Sequence, residues 1–268
     1  MSPPPEALPP AQPPRENLAQ MSLLEHLDEL RKRILHALAG MVVAFGFAWA
    51  FIEQIFEFLA RPIERLLPEG GRLAFLGLTD PFILYVKVAL LAALFFASPW
   101  LMFQAWRFVA PGLYRRERRW ALPFVLSVTV FFLAGGAFAY YVAFPFAAEF
   151  LLEMGERFQP VITIERYFRF LMTVILGLGL MFELPIVIFL LSRMGLVTPG
   201  FLIRKFRWAV LIIFIAAALI TPTPDVVNLC LFAVPTIALY LLGVAAAAAF
   251  PRRERAEEPA ADAAETSV

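Results

Sequence analysis

Residues 208–250 read WAVLIIFIAAALITPTPDVVNLCLFAVPTIALYLLGVAAAAAF. Two apolar runs flank the corner TPTPD at 221–225, and little else in either run is polar. As a helix, about 20 such residues cross the roughly 30 Å hydrocarbon core of a bilayer. Proline fixes φ and removes a donor, so the corner is a stiff cap between two spans. At 1.5 Å per residue, residues 208–221 reach only about 21 Å. The hairpin is therefore expected to have short fifth and sixth spans and to sit in thinned bilayer.

Outward from this hairpin the same pattern repeats. Apolar segments run over residues 34–59, 81–109, 121–144 and 168–192, each bounded by charge or proline. The chain of 268 residues is 61% hydrophobic and 17% charged, with mean hydropathy +0.75. A soluble domain carries about 25% charged residues. The expected fold class is all-α, a polytopic integral membrane protein with six transmembrane helices. Pro99, Pro145, Pro185, Pro235 and the glycines at 135–136, 177 and 179 lie inside the spans. Because proline bends a membrane helix, a curved, cupped arrangement is expected rather than a parallel bundle.

Residues 1–21 are proline-rich and read as a disordered cytoplasmic tail, neither signal nor transit peptide. Residues 251–268 are charged, alanine-rich and aperiodic, a second disordered tail. Residues 22–250 form one membrane domain. One set of flanks carries Arg31, Lys32 and Arg33; Arg115, Arg116, Arg118 and Arg119; Arg193, Arg204, Lys205 and Arg207; and Arg252, Arg253 and Arg255. The opposite loops hold fewer bases, namely Arg61, Arg65, Arg72, Arg157, Arg166 and Arg169. The positive-inside rule puts both termini in the cytoplasm.

A net charge of +1 argues against a nucleic-acid partner. Cys230 is the only cysteine, and His26 and His36 fall on different faces of one helix, so no metal site is expected. The chain has no Gly-rich phosphate loop and no Ser/His/Asp arrangement, so neither an enzyme nor a cofactor site is expected.

Four places carry chemistry. In HLDELRKR, residues 26–33, Glu29 and Arg33 are spaced i,i+4 with the acid first, the favourable order for a pair. In LYRRERRW, residues 113–120, Glu117 sits among arginines that keep it ionised. Each stretch reads either as a topology anchor or as a place where an internal arginine exchanges for one from a ligand. Glu183, in MFELPIVIF, lies near mid-membrane, where a charge costs about 2.5–3.5 kcal/mol on insertion scales. It reads as a structural acid or as a polar site lining a cavity. Lys87 is close enough to an interface to snorkel. The corners LARPIERLLP (59–68) and ITPTPD (220–225) single out Pro62, Thr221 and Asp225.

Together HLDELRKR, FQAWRFVAPGLYRRERR, FELP and TPTPD resemble the TatC family, the core subunit of the twin-arginine protein translocase. The resemblance spans about residues 22–248. It implies a receptor in the bacterial cytoplasmic membrane that binds leader peptides bearing two consecutive arginines. With TatA- and TatB-type single-span partners, such a receptor exports folded proteins using the proton-motive force. The family's receptor glutamates fall on Glu29 and Glu117, with Arg31 and Phe108 at further signal-peptide positions. Glu183 matches the intramembrane acid, and Pro62 a proline of the first outer loop. The resemblance also implies self-association in a multimeric receptor complex. Leu229 and Leu241 stand where many members carry polar residues, which bears on partner contacts. A small-solute secondary transporter is the alternative reading; it requires an internal repeat, and residues 34–120 and 121–250 do not form a convincing one.

Overall fold

The computed structural model describes residues 23–66, 73–109, 121–158, 161–221, 223 and 225–250. Among them every extended element is helical. Leu27–Ala50, Asp80–Phe108, Leu122–Met154, Ile164–Arg193 and Val226–Ala249 are long and apolar enough to cross a bilayer, and Phe206–Ile220 is a shorter sixth. The tails expected at 1–21 and 251–268 lie outside the described residues.

Helix α1 (Leu23–Ala50) packs mainly on α3 (Asp80–Val109) and leaves Ile34, Leu38, Val42 and Val43 exposed, as suits a peripheral helix facing lipid. The expected first span of 34–59 is broken at Phe51 (φ −115°, ψ 23°), and the amphipathic helix α2 (Ile52–Glu64) follows. Pro62 lies inside α2 and cannot donate to Phe58 O, its i−4 carbonyl. The Tyr140 hydroxyl donates to that carbonyl instead, and the two rings stack at 4.5 Å. On the next rung the Tyr167 hydroxyl donates to Leu59 O at 2.7 Å. Pro99 in α3 frees Phe95 O in the same way, and Ser98 Oγ donates to it at 2.8 Å. Prolines survive inside these helices because neighbouring hydroxyls re-satisfy the freed carbonyls.

Helix α4 (Ala121–Phe138) passes through a π-helical segment, Ala139–Ala143, into α5 (Phe144–Met154), with Pro145 just after the π segment. Helix α6 (Ile164–Met181) starts at Thr163, whose hydroxyl accepts from the Arg166 N–H. It breaks at Phe182–Glu183, and Pro185 opens the first turn of α7 (Leu184–Arg193). After the short, six-residue α8 (Pro199–Arg204) comes α9 (Phe206–Ile220), whose 15 residues reach about 22 Å. The sixth span, expected short, is a full-length helix, α10 (Val226–Ala249), of 24 residues. Asp225 starts it abruptly and the alanine run 245–249 lengthens it.

The core is aromatic and aliphatic, with Phe144, Phe168, Leu171, Leu178 and Phe232 fully buried. Close helix approach, which drives packing where lipid is as apolar as leucine, explains two glycines. A Cβ at Gly135 would lie 2.8 Å from Leu178 O, and one at Gly243 would lie 2.8 Å from Pro185 Cα. Trp100 Nε1 donates to His36 O at 2.8 Å, tying the middle of α1 to the last third of α3, on the way to the basic face where α1 begins and α3 ends. At the far face the loop before α3 joins the loop before α6. Ala74 N donates to Ile162 O at 3.0 Å, and Ile164 N donates to Ala74 O at 2.8 Å.

Candidate functional site

At the basic face the first turns of α1 carry two acid–base ladders. Asp28 pairs with Lys32 at 2.8 Å, with both side chains more than half exposed, and such pairs contribute little. Glu29 and Arg33 are far more enclosed, at 22% and 16% side-chain exposure. Arg33 donates through Nε at 2.8 Å and through Nη2, both to Glu29 Oε1. The expected i,i+4 pair therefore forms, and it leaves Glu29 Oε2 outside that grip.

α1 and α3 run antiparallel, with Gly40 against Trp100 and Ala48 beside Ala89. Glu29 lies in the second turn of α1 and Phe108 is the penultimate residue of α3, so the antiparallel pairing puts both toward the same end. Arg107 lies over the Phe103 ring at 5.7 Å, and Phe103 packs on Trp100 at 6.0 Å. Phe108 is half-buried at the end of α3, and Arg31 is exposed on α1. The structure thus gathers Glu29, Arg31 and Phe108 at one end. Glu117 lies outside the described residues.

Glu183 is separate from that group, at the break between α6 and α7. It is 7% exposed, and its Oε1 has no hydrogen-bond partner. An unpartnered buried carboxyl is costly, and the helix break leaves it at the N-terminal end of α7, where the backbone dipole favours an acid. Nearby, a cleft of about 420 Å³ opens between α3, α4, α7 and α10, walled by Trp106, Phe131, Ile186, Phe189 and Leu242, with Arg193 at its rim.

Pro62, Thr221 and Asp225 fall at the far face. Thr221 closes α9, its hydroxyl donating back to Ala217 O. Partial burial tends to raise the Asp225 carboxyl's pKa, but hydrogen bonds from the Asn228 and Val227 N–H groups and the Thr223 and Asn228 side chains outweigh it and hold the pKa below 3.8. Sequence reasoning missed Asn228. It is fully buried, and its Nδ2 donates to Asp225 Oδ2 at 2.8 Å and Thr223 Oγ1 at 3.2 Å. The usable signal is an amide three residues after a capping aspartate. It also missed Tyr140 and Tyr167, whose acceptors, Phe58 O and Leu59 O, lie far back in the sequence. Leu229 packs against the core and Leu241 is exposed. No group of three metal-ligating side chains occurs among the described residues.

Five long apolar helices and a shorter sixth define a multi-pass helical membrane protein. The model of the family described as Sec-independent protein translocase protein (TatC) matches residues 25–235. The chain belongs to the TatC family, whose members are protein translocase components. A relative from Koribacter versatilis, named Sec-independent protein translocase protein TatC, is 45% identical over 94% of both chains. One of the same name from Desulforapulum autotrophicum is 38% identical over 91% of this chain and 89% of its own. A crystal structure titled as the twin arginine translocase receptor TatC superposes with TM-score 0.74 at 33% identity, covering 84% of this chain and 99% of that one. A second, in DDM, gives TM-score 0.75 over 82% and 98%.

Proposed function

We propose that this chain is the signal-peptide receptor of a twin-arginine translocase in a bacterial cytoplasmic membrane, with both termini cytoplasmic. It catalyses no covalent reaction. With TatA- and TatB-type single-span partners and further copies of itself, it exports folded proteins at the expense of the proton-motive force. The observation that carries the reading is the Glu29 carboxylate, held in a partly shielded niche by one internal guanidinium.

A cargo arginine can take the place of Arg33, because guanidinium is planar and grips a carboxylate through two parallel hydrogen bonds. Lysine offers a point charge without that fork. Glu117 serves the second arginine of the pair. The apolar stretch that follows the bases in a leader peptide lies along the cleft beside Trp106, and Glu183 anchors a leader or partner helix within the membrane. Nothing favours the small-solute transporter.

The test is binding of a twin-arginine leader peptide to the detergent-solubilised chain, with a twin-lysine control. Glu29→Gln and Glu117→Gln should each weaken binding about tenfold or more, the loss of a shielded charge-assisted bond of about 1.5–3 kcal/mol. Arg33→Gln should tighten it, because no internal guanidinium then has to leave. Unchanged affinity in both glutamate variants, or equal affinity for the lysine pair, refutes the reading.

A further inference from the structure

α3 and α6 both begin at the far face and pack on one another, and a cavity of about 180 Å³ lies between their first turns. Four charged side chains line it: Asp80, Glu165, Arg169 and Lys87. Their depths are ordered. Asp80 is the first residue of α3 and Glu165 the second of α6, so both carboxylates stand at the mouth. Arg169 lies one turn further in, and Lys87 about 10 Å below Asp80 at 1.5 Å per residue. The acids are outermost and the bases beneath them.

Three of these groups have partners. Asp80 Oδ2 accepts the Gly77 N–H at 2.7 Å and the Leu76 N–H at 3.2 Å, and Glu165 is ion-paired with Arg169. Lys87 has no ion pair or hydrogen bond among the described residues. Buried Leu84 and Phe168 supply apolar walls. Exposed Ile83, Lys87 and Leu90 follow one another at i, i+4 and i+7, so an apolar stripe continues from the cavity down the membrane-facing side of α3.

We propose that this cavity binds the headgroup of a phospholipid whose phosphate carries a primary ammonium, the phosphoethanolamine class. In such a lipid the ammonium is outermost, the phosphate lies beneath it and the acyl chains run deeper. The ammonium meets Asp80 and Glu165, the phosphate meets Lys87 and Arg169, and a chain lies along Leu90. Two carboxylates at the mouth repel a headgroup that is only anionic. A trimethylammonium fits them poorly because it donates no hydrogen bond. The assignment does not depend on the receptor reading, whose orientation decides only that the lipid belongs to the outer leaflet.

The experiment uses the full chain, delipidated in a non-ionic detergent. Its melting temperature and the lipid it retains are measured with phosphatidylethanolamine, its mono- and dimethyl forms, phosphatidylcholine, phosphatidylglycerol and soluble phosphoethanolamine. Retention should fall with each methyl group, by about fivefold or more in total, and phosphatidylglycerol should rank below phosphatidylethanolamine. Lys87→Met should abolish the preference, and Lys87→Arg should keep most of it. Equal retention of phosphatidylethanolamine and phosphatidylcholine by the unaltered chain overturns the proposal, whatever the variants do. So does a preference that survives in folded Lys87→Met, or equal stabilisation by the soluble headgroup.

Discussion

The hydroxyl of Tyr140 replaces a hydrogen bond that Pro62 removes, and this substitution of donors can be tested quantitatively. Tyr140→Phe keeps the ring stacked on Phe58 at 4.5 Å but leaves Phe58 O without a donor in a site where Tyr140 is only 7% exposed. An orphaned buried carbonyl costs about 1–3 kcal/mol in water-soluble proteins. Hydrogen bonds inside membrane proteins average about 0.6 and reach about 1.7 kcal/mol. A loss of about 1–2 kcal/mol is expected. Pro62→Ala restores an N–H one turn from the same carbonyl. In that background Tyr140→Phe should therefore cost about 1 kcal/mol less, a coupling of ordinary size for residues sharing one partner. Equilibrium unfolding in mixed micelles with added SDS, followed by tryptophan fluorescence, gives all four corners of the cycle. A Tyr140→Phe cost that is the same with proline and with alanine at position 62 would show that the hydroxyl is not replacing the missing donor.

Gly243→Ala should destabilise by about 1–3 kcal/mol, the range for overpacking, because its Cβ meets Pro185 backbone at 2.8 Å. Gly46→Ala, with nothing within 4 Å, should be neutral or slightly stabilising in the same melt. Glu183→Leu should raise the melting temperature by removing an unpartnered buried carboxyl while lowering export of a twin-arginine reporter; full export would end its functional role. The folded-state pKa of Asp225 lies below its unfolded value of 3.8, so its contribution to stability is present above pH 3.8 and lost as pH falls through the folded value. The melting temperatures of the natural chain and Asp225→Asn should accordingly converge only at pH below about 3.8.

Hydropathy made the helices legible, because a bilayer demands an uninterrupted apolar length whatever the tertiary structure. It also gave the short span, read at 208–221 and found at Phe206–Ile220, while charge spacing gave the Glu29–Arg33 pair, a local i,i+4 relation. It could not place the breaks at Phe51 and Phe182, which arise where one element must turn to meet another. Nor could it reveal that Pro62 and Pro99 are answered by Tyr140 and Ser98. The first of these donors comes from a helix far along the sequence, which local pattern does not encode. The sixth span was misjudged in length because its neighbour's shortness was extended to it, although Val226–Ala249 had its own cap and an alanine run. In the candidate site, charge spacing pointed to Glu29, whereas Phe108 came only from the family resemblance. The packing of α1 on α3, with Gly40 set against the Trp100 ring, was not legible in local pattern.

The backbone clasp between Ala74 and residues 162–164 joins parts of the chain roughly ninety positions apart, a closure whose entropic cost grows only slowly with length. On the ribosome it has a timetable. At about 5–20 residues per second, the segment before α3 must wait on the order of 5–20 s for its mate to be synthesised. During that interval the nascent protein presents an untethered stretch to the far side of the membrane.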